Sequence, residues 1–506
     1  MSSGFLGIDI GTSACKVVLL DENGNIIASQ TQAYGFEQPF PGWVEQDPES
    51  WIQAATNATK RVLSKSGAPS VSCVGLSGQM HGLTPLDSNF KVIRPAILWN
   101  DQRNKAESDA IHDHFGGAEK LAESTSNQML VGYTGGKILW MKNHEPDNYQ
   151  KLRHVLNPKD YLRMVLTGEL ATEVSDASGT GLFNVANRVW AWDVIDSLGI
   201  DRSLLPSCYE SSAISGKVSA PAAQIFGIPA GTPVIGGGGD AVIQTFGSGV
   251  VRPGELQTTI GTAGILATAL SSPISNPQGK VQVFCNLSPD KWHCMGVSLN
   301  AGSCFTWLSR LIQSFGVTAP DYESMAKLAA QSSAGANGLL MMPYLNGERC
   351  PHPVPDARGA FVGLNSTHQA PDLCRAVMEG VAYSLYDIYS LMNSMGINGD
   401  VIKASGGGAQ SSLWRQIQAD LFDAEVQTVS GTAEGAAFGA AMLAGVGIGH
   451  WSSLEEASLC CKEITTQSPD KENQIMYRDR FKAYQALYPL LSPIVQSLNS
   501  SGETAL

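Results

Sequence analysis

Four short segments of this chain carry groups suited to holding phosphate and moving a hydroxyl proton. Asp9-x-Gly11-Thr12-Ser13, with Lys16 close behind, joins a carboxylate to a tight glycine turn. Backbone N–H groups and hydroxyls at such a turn cradle phosphate oxygens, and the carboxylate beside them can hold Mg²⁺ through water. A single copy reads as well as an ordinary β-hairpin turn. A near copy at Gly261-Thr262-Ala263-Gly264 and a third cluster at Gly406-Gly407-Gly408 favour the phosphate reading. Gly236-Gly237-Gly238-Gly239-Asp240 follows the apolar run Pro233-Val234-Ile235 and sets a carboxylate at a strand end, on backbone that a substrate can approach closely. That placement suits a general base taking a hydroxyl proton in phosphoryl transfer. It suits a helix N-cap equally, and one residue can be both. Ser77-Gly78-Gln79-Met80-His81-Gly82 ends another apolar run, with polar groups and one soft apolar contact for a small polyol. Trp99-Asn100-Asp101-Gln102-Arg103 also ends a strand and adds a carboxylate and a guanidinium.

The elements that must position these groups are strand ends and tight turns. Phe5–Ile10 and Lys16–Leu20 read as two strands around Gly11-Thr12-Ser13, with Asp21-Glu22-Asn23-Gly24 turning the chain again before Ile26-Ile27. A dinucleotide fold would instead pass from its glycine turn straight into a helix. Asp47-Pro48-Glu49 predicts a helix through Trp51 to Leu63, Val71–Leu76 a buried strand, and further helices are expected around 105–121 and 136–143. Leu256–Leu266 repeats the opening pattern of apolar strand, Gly-Thr-small turn and apolar strand, so two halves of related architecture are expected. Val401–Ser405 predicts a strand running into Gly406, followed by a helix over Ser411–Phe422 and a strand at Val426-Gln427-Thr428. The small-residue helix Gly435–Ala444 must pack closely on something. Two α/β lobes with a cleft between them is the expected architecture.

Composition excludes several classes. With 506 residues, 43% of them hydrophobic, the chain can bury a sizeable core, and a few domains are expected rather than one. Glycine takes 53 positions, about one in ten against a usual ~7%, while charged residues are only 16% against a usual ~25%. The net charge of −13 opposes non-specific binding to nucleic acid or to anionic membranes. Neither partner is expected. Ten cysteines without a C-x-x-C pair fit a reducing compartment, and the opening residues lack a signal-peptide pattern, so a cytoplasmic location is expected. The P-loop, the G-x-G-x-x-G turn, H-R-D with D-F-G, H-E-x-x-H and G-x-S-x-G are all absent. His112-Asp113-His114 is expected to be a solvated helix face rather than a metal site.

Taken together, these segments resemble the FGGY carbohydrate kinases, of the sugar kinase, actin and heat-shock ATPase superfamily. Gly7-Ile8-Asp9-Ile10-Gly11-Thr12-Ser13 resembles the family's first phosphate loop. Tyr133-Thr134-Gly135-Gly136-Lys137-Ile138-Leu139-Trp140 with Asn143-His144 resembles its first signature. Gly359–Leu364, Asp372-Leu373 and Ala376–Gly380 resemble the second. Gly78–Gly82, Leu98–Arg103, Asn157-Pro158-Lys159-Asp160-Tyr161-Leu162-Arg163 and Ser175–Thr180 are most similar to members that phosphorylate D-xylulose. Members acting on glycerol carry an Arg-Glu pair where Met80-His81 stand.

The resemblance implies a two-lobed actin-like (ribonuclease H-like) α/β fold with a central cleft. It implies an N-terminal lobe over 1–250, a C-terminal lobe over 251–490 and a tail over 491–506. It implies ATP and Mg²⁺ as cofactor set, a small sugar as the other partner and, as is common among relatives, a homodimer. The reaction implied is transfer of phosphate to the C5 hydroxyl of D-xylulose. Kinases of the family acting on ribulose, a polyol or a deoxy-sugar, and a non-catalytic sugar sensor, are the alternatives. By this resemblance Asp240 is the catalytic base and a metal contact. Asp9 approaches the metal through water. Gln79, Met80, His81, Trp99, Asp101 and Asp240 contact the sugar. Thr12, Ser13 and Lys16 match the first phosphate loop, Gly261 and Thr262 the second, and Gly407, Gly408 and Ala409 the adenosine site. Many members place Asn or Gln after the base, where this chain has Ala241.

Overall fold

The computed structural model describes residues 3–65, 70–276, 278–316 and 318–502. The chain forms two compact units. The first comprises Met1–Val251, Ala269–Cys294 and Glu434–Cys461, and the second comprises Arg252–Thr268, Met295–Ala433 and Lys462–Leu506. The first unit thus takes back two segments from the later half of the chain. The segment expected as a tail continues the helix Lys471–Gly502, and its last four residues lie outside the described ones.

In the first unit, strands β1 (Ser3–Ile10), β2 (Ala14–Asp21) and β3 (Ile26–Ala33) form an antiparallel meander. The next sheet strand, β4 (Ser70–Gly78), pairs with β1 in parallel. Strands β5 (Ile214–Lys217), β6 (Pro233–Ile235) and the two-residue β7 (Gly238–Gly239) follow, and β6 and β7 both run parallel to β4. The sheet order is β5-β6-β4-β1-β2-β3 with β7 also on β4. Asp47 caps helix α1 (Pro48–Leu63), accepting from the Glu49 N–H, with proline at the first turn as the sequence predicts. The helix buries Trp51, Ala55, Ala58 and Val62 against Leu6, Ile8, Val17 and Leu19 of the sheet, which is the core of the unit.

The expected helix over 105–121 is broken in two. Helix α2 (Lys105–His114) stops before Gly116 and Gly117, whose φ values of 74° and 125° are outside the helical range, and α3 (Ala118–Thr125) starts anew. Helix α4 (Thr134–His144) carries the first signature segment, and α5 (Pro158–Thr167) packs against β4.

The two remaining helices of this unit that matter are α6 (Asp240–Gly247) and the small-residue helix, α7 (Ala436–Gly447). Gly7 and Gly75 are register partners on β1 and β4, and both face α7. A Cβ on either would stand 2.0 Å from the Ala437 carbonyl or 1.9 Å from that of Ala440, so the helix backbone rests directly on the sheet. The same helix meets α6 through Gly439 and Gly247. Close approach on two sides requires small residues on all three elements, and that is the physical reason for the helix's composition.

The second unit repeats the opening arrangement. Strands β8 (Gly254–Ile260) and β9 (Gly264–Leu270) form an antiparallel hairpin, and β10 (Gly399–Ser405) pairs with β8 in parallel, as β4 does with β1. Strands β11 (Glu425–Val429) and β12 (Glu463–Gln467) extend the sheet beyond β10. Helix α8 (Gly302–Ser314) starts beside the β8–β9 turn, and α9 (Ser412–Phe422) follows β10. Among the described residues, no helix is long and apolar enough to cross a membrane.

Candidate active site

Strand register assembles the first unit's polar groups. Asp9 lies opposite Ser77 on β4, and Ser77 lies opposite Gly238 on β7; one row on, Ile10, Gly78 and Gly239 align. Three parallel strands therefore end at one level, and Asp240 stands one residue past that edge. The glycine run is shaped by its neighbours. A Cβ on Gly237 would lie 2.1 Å from the Leu76 carbonyl, and one on Gly239 would lie 2.6 Å from Met80. Gly239 rather than Asp240 caps α6; Asp240 is the first helical residue, and its Oδ1 accepts from the Ala241 N–H at 2.8 Å.

Both carboxylates are costly to ionise, each chiefly because it is buried. Burial pushes the Asp9 carboxyl up to about 6, against weaker opposing effects of the nearby Ser77 hydroxyl and the Lys16 charge. Asp240 is held well above the ordinary aspartate range by burial first, then by the charges of Asp9 and Asp176. Asp9 Oδ1 is buried without a hydrogen-bond partner. Two negative groups in a partly dry corner, one with an orphaned oxygen, suit a bound cation, so Asp9 and Asp240 fit the divalent ion expected there.

The β1–β2 turn closes with the Gly11 N–H donating to the Ala14 carbonyl at 3.0 Å. Thr12 is tied inward, its Oγ1 accepting from Trp99 Nε1 at 2.9 Å, whereas Ser13 is exposed. Lys16 is half-buried on β2 opposite Asp9. Gln79 donates through Nε2 to Gln46 Oε1 at 3.0 Å and keeps a buried Oε1 without a partner. Met80 is buried against Gly239.

His81 adopts a left-handed backbone, φ 66°, a conformation that costs an L-residue roughly 1–2 kcal/mol. Its Nδ1 pairs with the Gly179 carbonyl at 2.6 Å and its ring stacks on Tyr133 at 4.5 Å. Since a carbonyl only accepts, Nδ1 carries the proton, and in the neutral ring Nε2 is an acceptor. Asp101 differs from the other expected contacts. It is fully buried, with Oδ1 accepting from Arg103 N and Nε, and Oδ2 from the Val44 N–H and Arg103 Nη2. Its carboxylate is committed to holding Arg103 against Trp43. His112, expected on a solvated face, is half-buried and accepts from the Met129 N–H at 3.1 Å.

The second unit holds a cavity of about 440 Å³ at the repeated turn. Gly261, Thr262, Gly407 and Gly408 line it, together with Phe305, Tyr322 and Trp414. No atom lies within 4 Å of where a Gly407 Cβ would be, so a side chain there would occupy the cavity itself. The carbonyls of Gly261 and Thr262 are taken by N–H groups at the start of α8. Ala409 is buried behind this wall, its carbonyl accepting from Arg415. Glycine backbone, aromatic faces and hydroxyls make a site for a flat ring carrying anionic groups.

Residues 5–247 match the N-terminal domain, and residues 256–448 the C-terminal domain, of the FGGY family of carbohydrate kinases. The chain belongs to that family. It is 37% identical to the xylulose kinase of Escherichia coli K12, over 97% of this chain and 100% of that one. It is 35% identical to the xylulose kinase of Bacillus subtilis over 98% of each chain. A ligand-bound xylulose kinase from Lactobacillus acidophilus superimposes with a TM-score of 0.92 at 26% identity, over 98% of this chain and 100% of that one. The chain thus has the actin-like fold of FGGY kinases.

Behind the glycine run, this FGGY kinase buries a charged network to which sequence reasoning assigned no role. The Gly239 N–H donates to Ser175 Oγ at 2.9 Å, and Ser175 Oγ donates to Glu173 Oε1 at 2.8 Å. Arg163 donates to the Gly236 carbonyl, and Lys159 Nζ lies 2.7 Å from Asp160 and 3.2 Å from Asp176. Asp176 has its carboxyl pushed up to about 7, chiefly by burial. The network grips both ends of the turn that carries Asp240. Its signal lay in Lys159, Asp160 and Arg163, three charges within one helical turn of an otherwise apolar helix.

Proposed function

We propose that this protein transfers the γ-phosphate of ATP to the C5 hydroxyl of D-xylulose, giving D-xylulose 5-phosphate. Similarity to xylulose kinases over nearly the whole chain supports the substrate. The geometry of Asp240 carries the chemistry. Its only protein hydrogen bond among the described residues is from its neighbour's N–H, and its raised basicity suits proton abstraction near neutral pH. In this reading Asp240 accepts the C5 hydroxyl proton as the oxygen attacks phosphorus. The His81 Nε2 and Gln79 Oε1 acceptors receive hydrogen bonds from other sugar hydroxyls, Met80 supplies an apolar face, and Trp99 orients Thr12. Asp101 acts through Arg103 rather than by touching sugar.

Asp9, through water, and Asp240 would hold Mg²⁺, which when bound neutralises phosphate charge. The cavity of the second unit accepts the adenosine of ATP, with Gly407 and Gly408 leaving space and Gly261-Thr262 offering backbone to phosphate. Seven of the ten cysteines are buried, which fits the reducing cytoplasm.

A coupled assay of ADP release across D-xylulose, D-ribulose, L-ribulose, gluconate, glycerol and a deoxy-ketose tests the substrate. D-xylulose should show the highest kcat/KM. A higher value with any other member would overturn the assignment, and no turnover with any sugar would revive the sensor.

A further inference from the structure

The left-handed backbone at His81 is held by side chains from one helix. Thr134 Oγ1 donates to the His81 carbonyl at 3.1 Å, and Lys137 Nζ donates to the same oxygen at 2.7 Å. Both residues lie in the first turn of α4 and are buried, Lys137 fully. Burying an amino group is costly unless it serves a specific partner. A methionine would fill the same volume without that cost. The charges that act on Lys137, Asp101 and Arg103, oppose each other, and burial pushes its ammonium down to about 7. Its one hydrogen bond among the described residues is to His81.

The ring of His81 has separate restraints, the Tyr133 stack and the Gly179 carbonyl. A Cβ on Gly179 would lie 2.5 Å from Nδ1, so the ring fits one slot only. The ring contacts fix the side-chain torsions, whereas the carbonyl contacts fix the backbone from which the ring projects.

We propose that Lys137 is a positioning residue for sugar selection: with Thr134 it clamps the His81 carbonyl and so aims the imidazole Nε2 at the sugar. This rests on the reading of His81 as a sugar contact. The clamp acts on the acceptor sugar alone, so it separates kinetically from nucleotide binding.

The test is steady-state kinetics on the full chain with Lys137→Met, His81→Ala and the double variant. Lys137→Met should raise the KM for D-xylulose at least about tenfold while the KM for ATP stays within about twofold. In the His81→Ala background, adding Lys137→Met should change the sugar KM by less than about twofold, because the imidazole it aims is gone. Multiplicative losses, or an equal rise in both KM values, would overturn the proposal. An unchanged sugar KM in His81→Ala alone would overturn the reading of the sugar site as well, a different result. If Lys137→Met does not fold, Thr134→Val removes the other donor at constant shape and must give the same selective, non-additive pattern at smaller size.

Discussion

A carboxyl group buried at a strand end resists ionisation, and Asp9 shows it most plainly. Its carboxyl is raised from 3.8 to about 6, so between those values the folded protein binds a proton that the unfolded chain does not. Stability therefore falls as pH rises through that window, and above it the ionised carboxylate costs at most about 3 kcal/mol. Asp9→Asn should raise the thermal midpoint of the ligand-free protein at pH 8, with the gain fading towards pH 4. A gain that grew as pH fell would contradict the assigned cause. His81→Ala should raise the KM for sugar by an order of magnitude or more and leave that for ATP nearly unchanged. Equal effects on both would remove His81 from the sugar site.

At this scale the sequence made placement legible wherever a polar group follows an apolar strand beside glycine: Asp240 stands just past the strand edge, and Gln79 and His81 follow the end of β4. It was not legible where function depends on what lies behind. Lys137 sits inside the signature Thr134–Trp140, yet nothing in its spacing says that it reaches the carbonyl of a residue 56 positions earlier. Asp101 reads as a sugar contact until Arg103 and the Val44 N–H are seen to occupy both its oxygens.

Among the elements, helix α7 ties the sheet to the helix that begins with Asp240. It bears on β1 and β4 through Gly7 and Gly75 and on α6 through Gly439, and α6 begins with Asp240. Gly75→Ala drives a methyl group into the Ala440 carbonyl at 1.9 Å and must separate helix from sheet. We expect destabilisation of roughly 2–3 kcal/mol, measured by urea unfolding, with kcat reduced because α6 moves too. A variant as stable as the parent would mean that the helix does not rest on the sheet. The sequence revealed both hairpins, the capped helix after Asp47 and the need for close packing by the small-residue helix. The partner of that helix was hidden, because it joins positions more than 350 residues apart in the chain.

For the whole molecule, the excess of glycine and the shortage of charge answer one problem. A chain of net charge −13 repels a polyanion, and in the proposed reading the uncharged turns Gly11-Thr12-Ser13 and Gly261-Thr262-Ala263 meet phosphate through backbone. The repeated hairpin supplies one such turn in each unit, which the sequence repeat foretold. In the proposed reading the two units divide the labour, sugar chemistry in the first and nucleotide in the second. Gly407→Leu should therefore fill the second unit's cavity and raise the KM for ATP by an order of magnitude or more, the mirror image of His81→Ala. A selective loss of sugar affinity instead would refute that division.

The central claim is that Asp240 takes the proton from the sugar hydroxyl. Turnover of D-xylulose by Asp240→Asn, beside the parent and with ATP binding measured separately, tests it most directly. The account predicts a fall in kcat of at least about a thousandfold with ATP affinity retained. Turnover within about tenfold of the parent would contradict it.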